Sequence, residues 1–94
     1  VSNLLGLAQR AGKIISGEEM VVKAIQDQKV KLVFLAHDAS PNLTKKIQDK
    51  SHYYQVEVIT VFSTLELSIA VGKSRKVLAV TDAGFTKKMR SLME

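Results

Sequence analysis

Apolar residues recur along this chain at two kinds of spacing, which predict helices and strands in alternation. Spacings of three and four predict an amphipathic helix from Ser2 to about Ala11, which Gly12 ends. A second helix is predicted to open with Glu18 and to run to about Gln28. The side chains expected on the buried faces of these two helices are those of Leu4, Leu7, Ala8, Ala11, Val21, Ala24, Ile25 and Gln28.

Short apolar runs predict the strands of one sheet. Residues 31–36 (KLVFLA) are apolar without alternation, which is typical of a central strand covered on both faces. Residues 76–81 (KVLAVT) predict another buried strand, and residues 56–62 predict a third. Residues 13–16 fit a small strand at the edge of the sheet.

Capping residues mark the remaining helices. Ser40 is expected to cap a helix over residues 41–51, which has a proline at its first position. Ser63 and Glu66 form a predicted capping box for a fourth helix, which ends at Gly72. The side chains expected to point inward from the last three helices are those of Leu43, Ile47, Leu65, Ile69, Phe85, Met89 and Leu92.

Strands that alternate with helices predict an α/β fold, arranged as a three-layer α/β/α sandwich around a small mixed four-stranded sheet. A length of 94 residues predicts one domain over residues 1–94. Val1 in place of a methionine indicates a processed or trimmed start. No apolar run approaches the roughly 20 residues of a membrane span, and no basic-then-apolar leader opens the chain. We therefore expect a soluble, cytoplasmic protein with no membrane partner.

Charge and composition narrow the function. Fourteen Lys and Arg residues against nine Asp and Glu give a net charge of +5, which suits a polyanionic partner but also occurs in plain solvated domains. The absence of cysteine excludes disulfides, thiolate metal sites and cysteine nucleophiles. With only two histidines, the sequence predicts neither a metal site nor a cofactor.

Three loops are expected to gather at one end of the sheet, at residues 16–19, 37–40 and 72–76. The last of these, the basic turn, reads GKSRK and places three cations within four residues, which is denser than packing requires. The basic turn is either a phosphate contact or a solvated surface turn. Its cations are Lys73, Arg75 and Lys76.

Enzymatic chemistry has little support. His37, Asp38 and Ser40 carry the groups of a hydrolytic triad, but residues so close together at a strand exit do not line up as nucleophile, base and orienting group. The glycines match neither GxxxxGK nor GxGxxG, which removes the main support for a nucleotide-dependent enzyme. We therefore expect no catalytic residues.

Two further pairs of side chains, Glu19 with Lys23 and Tyr53 with Tyr54, have either a role in binding or a purely structural role. Glu19 and Lys23 stand in the favourable order for a helical ion pair, worth about 0.3–0.5 kcal/mol. Tyr53 and Tyr54, next to His52, either stack on bases or belong to the core and its rim.

Four segments together resemble the kink-turn-binding ribosomal protein family, and most closely its small bacterial members, over essentially the whole chain. They read LLGLAQRAGK, SGEEMVVKAI, KLVFLAHDASPN and VGKSRKVLAVTD. In that family a GxNExxK-like run meets the guanine edges of tandem sheared G·A pairs, where the RNA bends sharply. Here Gly17 matches the glycine and Lys23 the lysine, whereas Glu19 replaces Asn or Lys and Met20 replaces Glu or Gln.

Outside that run, Arg75 matches a family arginine in the turn that closes over the RNA, and Leu78 matches an apolar residue beside it. Ser40 stands where some members carry a glutamate. The resemblance thus implies an RNA interface formed by Gly17, Glu18, Glu19, Met20, Lys23, Ser40, Lys73, Ser74, Arg75, Lys76 and Leu78.

The resemblance implies a non-catalytic monomer that recognises and stabilises kink-turn RNA, with ribosomal RNA as one target and the ribosome or translation-related proteins as partners. The alternative is a protein-binding adaptor that has kept the fold and lost kink-turn affinity, which Glu19 and Met20 support. A small-molecule or nucleotide-binding α/β module is a third interpretation, which the missing glycine loops disfavour.

Overall fold

The computed structural model describes residues 2–93, and within them it has five helices and four strands. The helices are α1 (Ser2–Arg10), α2 (Glu18–Gln26), α3 (Pro41–Tyr53), α4 (Thr64–Val71) and α5 (Ala83–Met93), and the strands are β1 (Ile14–Ser16), β2 (Leu32–Leu35), β3 (Glu57–Ile59) and β4 (Val77–Val80). No helix among these residues has the length and apolar character needed to cross a bilayer.

The four strands form one mixed sheet in the order β1-β4-β2-β3. Strands β2 and β3 are parallel, whereas β4 runs antiparallel to both of its neighbours. Every residue of β2 and β4 is buried, which confirms the two strands predicted from unbroken apolar runs. The edge strand β1 is also confirmed, and β3 is shorter than the predicted 56–62 because it pairs only with Leu32, Val33 and Phe34 of β2.

Two hydrophobic clusters lie on opposite faces of the sheet, which confirms the three-layer α/β/α arrangement. Side chains of a strand alternate between faces, so Val33 and Leu35 pack with α2 and α3 while Leu32 and Phe34 pack with α1, α4 and α5. The caps that start the connecting helices form as predicted. Ser40 Oγ accepts from the Leu43 N–H at 3.2 Å, and the capping box of Ser63 with Glu66 is complete.

The predicted buried face of the first helix is confirmed at Ala8 and at Leu4, which packs against the core, and is wrong at its other two positions. Leu5 and Ala8 are fully buried, whereas Leu7 is about half exposed and Ala11 lies in the exposed turn after the helix. Apolar residues at 4, 5, 7, 8 and 11 are compatible with two different buried faces of the helix. Close packing against α4 selects one of them. The two helices approach so closely that a Cβ on Gly6 would lie 3.4 Å from the Ala70 carbonyl oxygen. In α2 the buried positions Val21, Ala24 and Ile25 are confirmed, but Gln28 lies beyond the helix and is exposed.

The predicted buried face of the fourth helix is also wrong. Leu65 and Ile69 are 68% and 73% exposed, while Leu67 and Val71 are buried. The segment TLELSIAV has apolar residues on every side, so its spacing does not define one inward face. In α5, Met89 is buried as predicted, whereas Leu92 is mostly exposed.

Candidate nucleic-acid interface

The three loops predicted to gather do meet at one end of the sheet, where β2 ends and β4 begins. The Gly17 N–H donates to the Val77 carbonyl oxygen at 3.1 Å, and the Ala36 N–H donates to the Lys76 carbonyl oxygen at 2.8 Å. These two bonds hold the start of α2 and the exit of β2 against the basic turn. The surface they form is called the sheet-end surface below.

Gly17 sets the direction in which α2 leaves the sheet. Its backbone has φ +95° and ψ 148°, a conformation that side chains disfavour strongly. No side chain caps the first turn of α2, and the first amides of a helix lack intrahelical acceptors. The first turn of α2 therefore presents backbone donors at the sheet-end surface.

The outer face of α2 carries the side chains predicted to read bases. Glu19, Met20 and Lys23 are all exposed, with Met20 at 59%. Lys23 thus points to solvent, away from the helix–sheet contact. Within residues 2–93 no ion pair joins Glu19 and Lys23, so the helical pair considered above does not form. All three side chains remain open to a ligand.

Glu18 has a different role from Glu19. Its carboxylate accepts from Lys46 Nζ of α3 at 2.9 Å, and both side chains are nearly half exposed. An exposed pair of this kind contributes about 0–1 kcal/mol. Glu18 therefore ties the start of α2 to α3 and is neutralised there, which leaves Glu19 as the unpaired carboxylate of the first turn.

Arg75 joins the basic turn to the end of β1, directly before α2. Its Nε donates to Ser16 Oγ at 3.0 Å, and its Nη1 donates to the Ser74 carbonyl oxygen at 2.7 Å. A guanidinium has five N–H donors in a planar fork, so these two bonds leave the others available. The side chain is half-buried and held in place, so the guanidinium loses less conformational entropy in forming a further hydrogen bond.

Ser68 of α4 supports the backbone of the same turn. Its Oγ accepts from the Arg75 N–H at 3.0 Å and is 3.3 Å from the Arg75 carbonyl oxygen, to which it donates. Lys73, Ser74 and Lys76 are exposed around it. The turn is therefore a braced structure with three cations on its surface.

The exit of β2 is tied to the start of α4 through Asp38. Its carboxylate accepts from Thr64 Oγ1 at 2.7 Å and from the Thr64 N–H at 2.9 Å. These bonds to the ionised form hold the pKa of Asp38 below its ordinary value of 3.8. The link is therefore present at neutral pH and is lost only as the pH falls through that lowered pKa.

The predicted site residues do not all reach this surface. Leu78 lies in β4 with its side chain fully buried, so it is part of the core and not of the sheet-end surface. Ser40 is at the rim, where its hydroxyl caps α3. The other predicted residues surround the meeting point of the three loops or the first turns of α2.

Sequence reasoning missed the residues that brace the site, among them Ser16 and Ser68. Ser16 is 59 positions from its partner Arg75, a separation at which no local pattern operates. Ser68 does carry a signal, because its hydroxyl stands between apolar residues in the run LSIAV of α4. Among residues 2–93, no three His, Asp or Glu side chains come close enough to hold a metal ion.

Comparisons with known sequences cover nearly the whole chain. The profile of the ribosomal protein L7Ae/L30e/S12e/Gadd45 family matches residues 1–90. RNA-binding protein YlxQ of Enterococcus faecium is 50% identical over 92 residues, which span 98% of this chain and 89% of that protein. RNA-binding protein YlxQ of Bacillus subtilis is 49% identical over 92 residues, or 97% of this chain and 92% of that protein.

Known structures show the same fold. A Bacillus halodurans protein of unknown function superposes with a TM-score of 0.92 and 45% identity, over 98% of this chain and 94% of that one. The Giardia lamblia 15.5kD RNA binding protein has a TM-score of 0.80 over 97% of this chain and 85% of its own. At 20% identity, that second likeness concerns the fold alone.

Proposed function

The chain belongs to the ribosomal protein L7Ae/L30e/S12e/Gadd45 family, as its resemblance suggested, and from this membership we propose that it binds structured RNA and stabilises the kink-turn. One observation carries the proposal furthest: Arg75 Nε lies 3.0 Å from Ser16 Oγ. This bond holds a phosphate-binding turn beside a helix N-terminus with exposed side chains. RNA recognition needs both parts together, since phosphate contacts position a protein and base contacts specify its site.

The proposed mechanism is recognition by shape. The first turn of α2 enters the widened groove at the bend, where Lys23 and the helix amides face the base edges. Lys73, Arg75 and Lys76 hold the flanking phosphates. Binding to the bent state alone shifts the RNA population toward it, and no bond is made or broken. The protein acts as a cytoplasmic, non-catalytic monomer associated with the ribosome or another structured RNA.

A protein-binding adaptor is the second candidate function. Glu19 is an unpaired carboxylate beside the expected phosphates, and Met20 is exposed where the family places a hydrogen-bonding side chain. On α4, Leu65 and Ile69 add an exposed apolar pair, which lines one shallow depression together with Lys73 of the basic turn. Salt separates the two functions, because affinity for RNA falls steeply with ionic strength and affinity at an apolar interface does not.

The proposed function predicts that the protein binds a kink-turn RNA at least about tenfold more tightly than a straight duplex of equal length, a preference of about 1.4 kcal/mol. A gel shift at fixed salt measures both affinities. The control RNA keeps the kink-turn length but has Watson–Crick pairs in place of the sheared G·A pairs. Equal affinity for the three RNAs would contradict kink-turn recognition.

Glu19 provides a test of how the site reads RNA. We expect Glu19→Asn to strengthen kink-turn binding by about 1–3 kcal/mol, because the change removes a charge that repels phosphate and introduces a donor for guanine acceptors. Asp27→Asn is the matched control, since it removes the same charge at the other end of α2. Strengthening by both variants would indicate net charge alone. Weakening by Glu19→Asn would show that Glu19 itself accepts from a base or positions Lys23.

A further inference from the structure

A second concentration of cations lies at the opposite end of the sheet, where β2 begins and β4 ends. The turn after α2, the start of β2 and the first turns of α5 enclose an open cleft of about 580 Å³. Its lining includes Lys29, Lys31, Lys87 and Arg90, together with the hydroxyl residues Thr81 and Thr86. We call it the basic cleft. None of its residues belongs to the sheet-end surface.

Arg90 is fixed in the wall of the basic cleft. Its Nε donates to Glu57 Oε1 at 2.7 Å, and its Nη2 donates to the Lys31 carbonyl oxygen at 3.1 Å. The same carbonyl oxygen accepts from the Glu57 N–H at 3.1 Å. These bonds join α5 to the sheet between β2 and β3 and hold the guanidinium beside the cleft. Glu57 offsets the charge of Arg90, so the net charge comes from the lysines.

The three lysines of the basic cleft are exposed, and none of them is paired with a carboxylate in the described part of the chain. They are Lys29, Lys31 and Lys87, and among residues 2–93 the lining itself contains no carboxylate. The nearby Asp82 lies outside the lining, and its Oδ2 accepts from the Phe85 N–H at 2.9 Å, a bond that holds the carboxylate at the start of α5 and leaves its negative charge in place. Like charges placed together without partners raise the local positive potential, which attracts anions.

The form of the cleft favours a polyanion over a single small anion. Its lysines come from different elements, the turn after α2, the start of β2 and the first half of α5, and their ammonium groups reach solvent. Among the described residues of the lining, Thr86 contributes a buried polar side chain, and a single hydroxyl is not the converging set of polar groups that a cage for one phosphate requires. Lysine is a flexible point charge suited to successive phosphates along a strand.

We propose that the basic cleft binds the phosphate backbone of a second RNA segment, so that the protein joins two segments at opposite ends of its sheet. The strands separate the two surfaces by about 13 Å before the loops are added, in a molecule whose Cα atoms extend 28 × 25 × 25 Å. Phosphates at the basic cleft therefore belong to a flanking segment or a separate strand, and not to the nucleotides at the bend.

The test compares two double variants with the same change in net charge. Lys29→Glu with Lys87→Glu alters the basic cleft, whereas Lys50→Glu with Lys88→Glu alters positions outside it that likewise form no ion pair within the described residues. Lys88 is the immediate neighbour of Lys87 on α5 but points to another side of the helix. The changes at these two lysines are therefore closely matched. Circular dichroism and thermal unfolding check that both variants are folded.

Each protein is first mixed with saturating unlabelled kink-turn RNA and then titrated into a fluorescent single-stranded oligouridylate, with anisotropy as the readout. We expect the wild type and the control to bind the probe, and the cleft variant to bind it at least about tenfold more weakly. Its salt slope should also be shallower by about 1.4, since each phosphate contact to a single strand contributes about 0.7.

Equal weakening by both double variants, or no binding of the probe by the wild type, would overturn the proposal. The same titration without kink-turn RNA keeps this test separate from the proposed function. If the protein has no preference for kink-turns but the cleft variant alone binds the oligouridylate more weakly, the result supports RNA binding at the basic cleft and contradicts kink-turn recognition.

Discussion

Replacing Phe34 by alanine is expected to lower the free energy of unfolding by about 3–5 kcal/mol. Phe34 is fully buried in the central strand β2, and its ring lies 5.9 Å from that of Phe62. The loss combines the apolar area returned to water with a cavity that α1, α4 and α5 cannot collapse to fill, because they pack on that face from several sides. A domain of this size has only about 5–15 kcal/mol of stability in total.

Urea denaturation followed by circular dichroism measures this loss. Tyr53→Ala is the control, because it removes a larger side chain that is 78% exposed and contacts Tyr54 edge to face. That change should cost less than about 1.5 kcal/mol, the upper value for an aromatic pair. A Phe34→Ala loss below about 1 kcal/mol, well under the range for buried phenylalanine, would mean that the core on this face repacks freely.

The second large effect is expected at Arg75. Arg75→Ala should weaken RNA binding by about 2–4 kcal/mol, through loss of a charged phosphate bond of about 1.5–3 kcal/mol and loss of the hydrogen bond to Ser16 at the end of β1. The salt slope should become shallower by about one unit, as for one lost phosphate contact. Titrations of kink-turn RNA at several salt concentrations give both quantities.

Two further variants separate charge from positioning. Ser16→Ala removes the acceptor of Arg75 Nε but keeps the cation, so it should weaken binding without changing the salt slope. Lys88→Ala removes a cation from α5, away from the sheet-end surface, and should change the affinity little. An Arg75→Ala variant with unchanged affinity and slope would show that the basic turn is only solvated surface.

Local chemistry determined a large part of this protein. The two central strands are read directly from unbroken apolar runs, because burial on both faces tolerates few polar side chains. The caps at Ser40 and Ser63 follow from hydroxyls that satisfy amides three residues away. The density of cations in the basic turn and the glycine before α2 likewise lie within a few residues of sequence.

Only the tertiary structure decided which face of a helix is buried when its sequence offers more than one. Leu65 and Ile69 were predicted to be inside and are exposed, because α4 presents apolar residues all round and packing against α1 selects Leu67 and Val71. The braces of the site are equally nonlocal, since Ser16 meets Arg75 only when β1 pairs with β4. Local patterns specify which hydrogen-bond donors and acceptors a segment can pair within itself. The folded sheet specifies which distant residues pair with the remaining ones.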